Sequence, residues 1–259
     1  MTIPDFMEKQ GITVVVEGVE DSKALLEKIA EDGAAYDLVI GIANTLAMSS
    51  DYESLFETLA FELFENLNRE VLVDRKNKLV PYAYGYYSLL YNSALIGEPP
   101  ESFGELQDPR FYNQLALVAP DTDEIGRGLL YWTVALFGEE GYQHLWRALR
   151  KNVLRTYPTW KESFTALENG TCALAFGFST TPNWYLENQQ NQVPIKASML
   201  KEGSYIYIES AAIPVSSQNK RVAVSFLEHF LNPETQQQVI FKLGLMPANT
   251  KTFLPMHFT

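Results

Sequence analysis

Cysteine is almost absent from this chain. The single Cys172 excludes a disulfide framework and a cysteine-based zinc site. It lies in TCALAFGFS, apolar on both sides, and reads as a small buried hydrophobe, not a reactive thiol. Histidine is nearly as scarce: His144, His229 and His257 are isolated and none is spaced for metal as in H-x-x-x-H, so no metal site is expected. No G-x-G-x-x-G or Walker-type loop occurs, which removes the usual support for nucleotide cofactors. Ser179 in GFSTT lacks the second glycine of a nucleophile elbow and has no histidine placed to complete a triad. Catalysis therefore finds no positive support, and neither an enzyme nor a cofactor is expected. No apolar run approaches the ~18 residues of a membrane-spanning helix. The N-terminal MTIPDFMEKQGITVVVE has no basic region leading into an apolar core, so no export signal is visible. Positive charge is also in deficit, with 20 Lys and Arg against 32 Asp and Glu for a net −12. The acids are spread along the chain, which argues against nucleic-acid or anionic-membrane partners.

What is present is enough apolar material for real cores, 46% of 259 residues with 13% aromatics. That length suggests one large or two medium α/β domains. The stretch Leu79 to Asn92, LVPYAYGYYSLLYN, is the longest aromatic, β-prone run and separates two halves of different composition. Pro81 suits a strand's start or edge. Tyrosine hydroxyls in such number need partners or water, which a strand beside a solvent-filled cleft supplies. It is expected to be a cleft-lining crossover between two lobes.

In the first half, Pro4 to Gln10 ends a helix closed by Gly11, and Ile12 to Glu17 is expected as a buried strand. Asp21 or Ser22 caps a helix through SKALLEKIAEDG, and Tyr36 to Ile42 is expected as a fully buried strand. This alternation reads as the βαβ unit of a parallel, doubly wound sheet, with Gly41 to Thr45 at its ligand edge. Tyr52 to Asn68 has the spacing of an amphipathic surface helix. In the second half, strands at Leu115 to Ala119, Val153 to Tyr157 and Ala173 to Phe178 alternate with helices over 128–137, 142–151 and 160–167. Tyr205 to Pro214 is the return crossover, followed by the helix RVAVSFLEHFLN. The expected lobes are 1–86 with 206–247, and 87–205, with the tail 248–259 grouped with the second.

Aromatics gather at predicted loop ends: Tyr84, Tyr86, Tyr87, Trp160, Phe178, Trp184, Tyr185 and Tyr205. Each fits a core as well as a ligand site. Rings that face a cleft stack planar ligands or hold cations at about 0.5–2 kcal/mol each. Three such rings with one hydrogen bond approach the ~8 kcal/mol of a micromolar site.

Collinear segments then carry a family resemblance. FMEKQGITVVVEGVEDSKALLEKI, YDLVIGIANTL, VPYAYGYYSLLYN, PPESFGELQDPRF, GLLYWTVALFGEEGY, TWKESFTALENGTCALAFGFSTTPNWY, KEGSYIYIESAAI and RVAVSFLEHFLNPETQQQVI follow one another as in the extracytoplasmic solute-binding proteins of ABC transporters. The resemblance is to their thiamine-binding branch. It implies an α/β, two-lobed periplasmic-binding-protein-like fold of type II, with a doubly crossed hinge and a ligand cleft between lobes. It also implies a periplasmic or extracytoplasmic monomer that delivers thiamine, or a related small planar or cationic solute, to a membrane permease.

By that resemblance Trp160 stacks on the ligand, Trp184 and Phe178 form further apolar walls, and Tyr84 and Tyr205 hydrogen-bond. Asn44 and Thr180 orient the ligand, and Asp123 offers negative charge. The chain departs from the family where Ala43 and Ala83 replace aspartates, where Asp123 stands at a serine beside a phosphate, and at GLMP, Gly244 to Pro247, where a cage tryptophan is missing. The family's opening strand and closing helical tail have no counterpart in this chain. An alternative keeps the clamp and binds ferric iron or another small solute, since Trp184-Tyr185 resembles the neighbourhood where ferric binders place paired tyrosines, with one tyrosine here. An alternative of another class is a ligand-free interaction protein or a cytosolic enzyme.

Overall fold

The computed structural model describes residues 3–19, 22–47, 54–188 and 194–256. Asp21, Tyr52, Glu53 and His257, which entered the sequence reading, lie outside them. The elements begin with α1 (Ile3–Gln10), α2 (Ser22–Asp32), β1 (Val39–Ala43), α3 (Asn44–Ala47) and β2 (Val80–Asn92). The middle of the chain forms β3 (Leu115–Val118), α4 (Glu124–Leu149), β4 (Val153–Tyr157), α5 (Trp160–Glu168), β5 (Leu174–Phe178), α6 (Thr181–Asn188) and β6 (Ile195–Ser198). It closes with β7 (Ile206–Ala212), α7 (Lys220–Phe230), α8 (Pro233–Leu243) and β8 (Met246–Pro247). The fold is mixed α/β. The chain divides into two compact units, Met1–Tyr84 with Ile208–Thr259, and Gly85–Tyr207, and passes from one to the other inside β2 and again inside β7. Residues 248–259, grouped with the second lobe in the sequence reading, fall in the first unit.

In the first unit Leu25 and Ile29 lie one turn apart on α2 and pack with Val39, Ile42, Phe56, Leu79 and Ala212. Each of these side chains apart from Ala212 contributes roughly 1.5–3 kcal/mol when removed from water. Phe6 of α1 is buried edge-on against Phe226 of α7, 5.1 Å between ring centroids. Among the described residues β1 has no parallel partner. It pairs antiparallel with β7, from Val39 opposite Ala212 to Ala43 opposite Glu209, with an irregularity between Ile40 and Ile42. Gly41 sits at that irregularity with φ of 102°, a conformation that suits glycine. On β1 the Ser22 hydroxyl takes the place of a strand: it donates to the Gly41 carbonyl at 2.7 Å and accepts from Ala43 N at 3.2 Å. β1 is also not fully buried, since Ile40 is 38% exposed.

Two further expectations for this unit are corrected. Ile12 to Glu17 forms no strand, and Val15 and Val16 are 88% and 69% exposed. Ile12 N turns back to the Met7 carbonyl, and the Glu17 carboxylate is held by Lys28 and Tyr36. β-propensity expresses fit to a pleated neighbour, and this run has none among the described residues. The described part of Tyr52 to Asn68 forms no α-helix but an irregular segment that includes a short 3-10 turn at Phe61–Phe64. Its backbone is drawn off by distant partners: Glu57 N donates to Ile213 O, Leu59 N to Asn77 O, and Asn68 N to Ala248 O. Phe56, Leu59, Phe64 and Leu67 are buried all the same, so the apolar spacing is satisfied without a helix.

The second unit has the parallel arrangement that the sequence suggests. β3 pairs parallel with β4 on one side and β5 on the other, and β5 pairs antiparallel with the later part of β2, from Tyr87 opposite Phe178 to Tyr91 opposite Leu174. β6 pairs antiparallel with the end of β2. α4 links β3 to β4 and is broken at Gly138, where φ is 70°, giving two helical runs. Glycines let α4 lie directly on its neighbours. A Cβ at Gly126 would stand 2.4 Å from the Val118 carbonyl oxygen, and one at Gly128 would stand 2.0 Å from the Tyr87 hydroxyl. Tyr87 is fully buried and cannot swing away. Gly128→Ala is therefore expected to destabilise the protein by about 1–3 kcal/mol or more, despite alanine's better helix propensity. A lowered thermal midpoint checks it.

Candidate functional site

Because β3, β4 and β5 run parallel, their carboxyl ends share one edge of the second unit, where such sheets collect ligands. The segments leaving that edge carry Asp123, Trp160, Phe178 and Thr180. Asp123 ties two of them together. Its Oδ1 accepts from Ile125 N at 2.8 Å, capping α4, and its Oδ2 accepts from Trp160 N at 2.9 Å, at the first residue of α5. Thr159 caps α5 as well, accepting from Glu162 N at 3.3 Å. Thr122 Oγ1 donates to the Pro158 carbonyl at 2.7 Å, fastening the two loops to each other.

Trp160 is half-buried and stacks on Phe164, with 5.0 Å between centroids and 23° between planes. Its Nε1 is buried and finds no acceptor among the described residues. Gly177 leaves room for it, since a Cβ there would lie 3.2 Å from that nitrogen. Trp184 of α6, also half-buried, packs with Trp160 against the cluster that holds Leu90, Phe164 and Tyr185. Thr180 is buried, and its carbonyl accepts from Asn183 N and Trp184 N at 3.1 and 3.0 Å. Sequence reasoning missed α6; its signal was Thr180 and Thr181 followed by Pro182 in a first turn.

A second aromatic group surrounds Tyr87, which the sequence reading placed beside solvent. The ring is buried, and its hydroxyl donates to the Glu124 carbonyl at 2.9 Å. Phe178 meets it edge-on at 5.4 Å, and Tyr205 at 5.9 Å. Tyr207 lies 5.1 Å from Phe178. Tyr82, in the first unit, is likewise buried and donates to Glu209 Oε2 at 2.6 Å. Internal acceptors thus serve both of these hydroxyls. Burial, then the nearby Glu124 carboxylate, raises the Tyr87 pKa well above the ordinary value, and burial with Glu209 does the same for Tyr82. Burial and Tyr131 raise Tyr205.

The structure therefore gathers Asp123, Trp160, Trp184, Phe178, Thr180 and Tyr205 in one unit. Asn44 and Tyr84 belong to the other. Asn44 opens α3, and its Oδ1 accepts from Ile208 N at 3.0 Å; the Tyr84 hydroxyl accepts from Asn68 Nδ2 at 3.2 Å. The pair of buried Arg127 and half-buried Glu124, inside the first turns of α4, went unnoticed in the sequence although its i, i+3 spacing is plain. As for iron, Tyr185 is buried with its hydroxyl on Glu168 Oε1 at 2.7 Å. Among the described residues no group of three or more His, Cys, Asp or Glu could hold a metal ion.

Comparison with known proteins adds the family. Residues 36–256 match the bacterial extracellular solute-binding proteins. The chain belongs to that family. Among its relatives, the thiamine-binding periplasmic protein of Brucella abortus biovar 1 (strain 9-941) is 28% identical over 239 residues, covering 91% of this chain and 70% of that protein. The thiamine-binding periplasmic protein of Escherichia coli (strain K12) is 25% identical over 252 residues, 93% of this chain and 72% of that protein. Among solved structures, a periplasmic thiamin binding protein superposes with a TM-score of 0.82 at 23% identity, covering 98% of this chain and 79% of that one. The ferric binding protein from Campylobacter jejuni gives 0.84 at 17% identity, covering 99% and 84%. At those identities the structures speak for the fold alone. No helix of this solute-binding protein, among the described residues, is long and apolar enough to cross a membrane.

The buried tyrosines make an alkaline prediction. Tyr185 is pushed up to about 12, by burial first and then by Glu168, and Tyr82 and Tyr87 are also raised. A phenol whose folded pKa is raised adds stability that is fully present below its unfolded value near ~10 and is lost as pH climbs through the folded one. Ultraviolet titration of the 14 tyrosines should show these three ionising last, with the thermal midpoint falling only above about pH 10.

Proposed function

We propose that this solute-binding protein works outside the cytoplasm, captures thiamine or a closely related planar cation, and delivers it to the permease of an ABC importer without transforming it. The observation that carries the ligand assignment is similarity to thiamine-binding relatives over about nine-tenths of the chain, 91% for the Brucella protein. The geometry supports it through Trp160, whose backbone is pinned by Asp123 and whose half-buried ring already stacks on Phe164. A planar cation would gain about 0.5–2 kcal/mol on each aromatic face. Trp160, Trp184 and Phe178 are the walls in this reading, Tyr205 and Thr180 the polar contacts of the same unit, and Asn44 and Tyr84 the candidates of the other. The two units act as the lobes of the binding protein, which works as a monomer and has no nucleic-acid partner. The acidic net charge of −12 suits a cationic solute and opposes nucleic acid.

Tryptophan fluorescence tests the assignment. Thiamine should change the emission with a micromolar or tighter Kd, and Trp160→Ala should weaken binding on the order of 10-fold or more, Trp160→Phe by less. Silence toward thiamine, its phosphates and its pyrimidine half would sink the vitamin assignment.

A further inference from the structure

Two helices of the second unit begin at one carboxylate. The first turn of a helix presents N–H groups without intrahelical acceptors and the positive end of aligned peptide dipoles, the combination with which proteins hold phosphate. At the starts of α4 and α5 the chain supplies the anion itself, through Asp123 Oδ1 on Ile125 N and Oδ2 on Trp160 N. The surroundings add no positive surplus. Residues 120–127 and 159–163 carry Asp121, Asp123, Glu124 and Glu162 against Arg127 and Lys161, and Arg127 is paired with Glu124. Asp123 is not sealed in the core; it remains half-exposed, hydrogen-bonded to the backbone of the tryptophan read above as the ligand wall.

We propose that Asp123 is a specificity residue that rejects phosphorylated ligands, so that the site takes the free alcohol of a thiamine-like cation in preference to its phosphate ester. An ester phosphate brought up beside Trp160 would meet a fixed like charge and would find those two N–H groups already taken. A serine at this position could still cap α4 while removing the charge and releasing the Trp160 N–H. The inference rests on the thiamine reading for its ligand and on the Asp123 geometry for its sign.

The test is calorimetric titration of the whole chain, wild type beside Asp123→Ser and Asp123→Asn, with thiamine and thiamine monophosphate, circular dichroism confirming the fold. The wild type should prefer thiamine on the order of 10-fold or more, and the preference should shrink as salt is raised. In both variants the preference should fall toward unity. Equal wild-type affinities, or a preference that survives both substitutions, would overturn the proposal. The salt series on the wild type decides the matter even if a variant does not fold: a preference indifferent to salt counts against a charge. Inorganic pyrophosphate separates this idea from the ligand assignment. If no thiamine compound binds any of the proteins, the vitamin reading fails, yet a rise in thermal midpoint with pyrophosphate in Asp123→Ser and not in wild type still supports Asp123 as the anion guard. No such rise counts against it.

Discussion

The second unit depends on one carboxylate shared between two helix starts. Parallel strands deliver their connecting segments to a common edge, and helices that leave such an edge bring unpaired N–H groups with them. Asp123 answers one of these groups on α4 and one on α5. An N-cap is worth about 1 kcal/mol on one helix; serving two, this one also sets the position of Trp160. From there the constraint runs outward. Trp160 stacks on Phe164, Phe164 meets Tyr185 edge-on, and Tyr185 is anchored to Glu168 at the end of the same helix.

A second constraint comes from a buried phenol. Tyr87 stands on the strand through which the chain enters the unit, and its hydroxyl reaches the Glu124 carbonyl in the first turn of α4. That contact is possible only because Gly128 leaves the space. The aromatic group of Phe178, Tyr205 and Tyr207 is therefore set against the same helix that Asp123 begins. Side chains proposed to meet a ligand are thus held by groups that never need to touch it.

Much of this was legible in the sequence, and the reasons for the rest are physical. Turn chemistry and period identified β2, α2, α5, α7 and the parallel strands of the second unit. Where the reading failed, tertiary partners prevailed over local pattern. Ile12 to Glu17 has the composition of a strand but no neighbour to pair with among the described residues, and the segment after Ser54 gives its N–H groups to Ile213, Asn77 and Ala248. The pairing of β1 with β7 joins residues far apart in the chain, which no local window can see. Six of the residues that the family resemblance singled out lie in one unit, Gly85–Tyr207, and two in the other. The resemblance did not convey that Asp123 is a double cap, because its role depends on Trp160 N arriving from another loop. The side chains that hold Tyr82 and Tyr185, Glu209 and Glu168, were equally hidden.

Cys172 has a practical side. It is wholly buried, and burial pushes its thiol up to about 11, so at neutral pH it is a poor nucleophile. A cysteine placed on the exposed first turn of α5, for instance at Lys161, would be the sole readily alkylated sulfur without removal of the native one. A dye attached there would report from within one residue of Trp160, which makes this chain a convenient frame for a reagentless optical sensor.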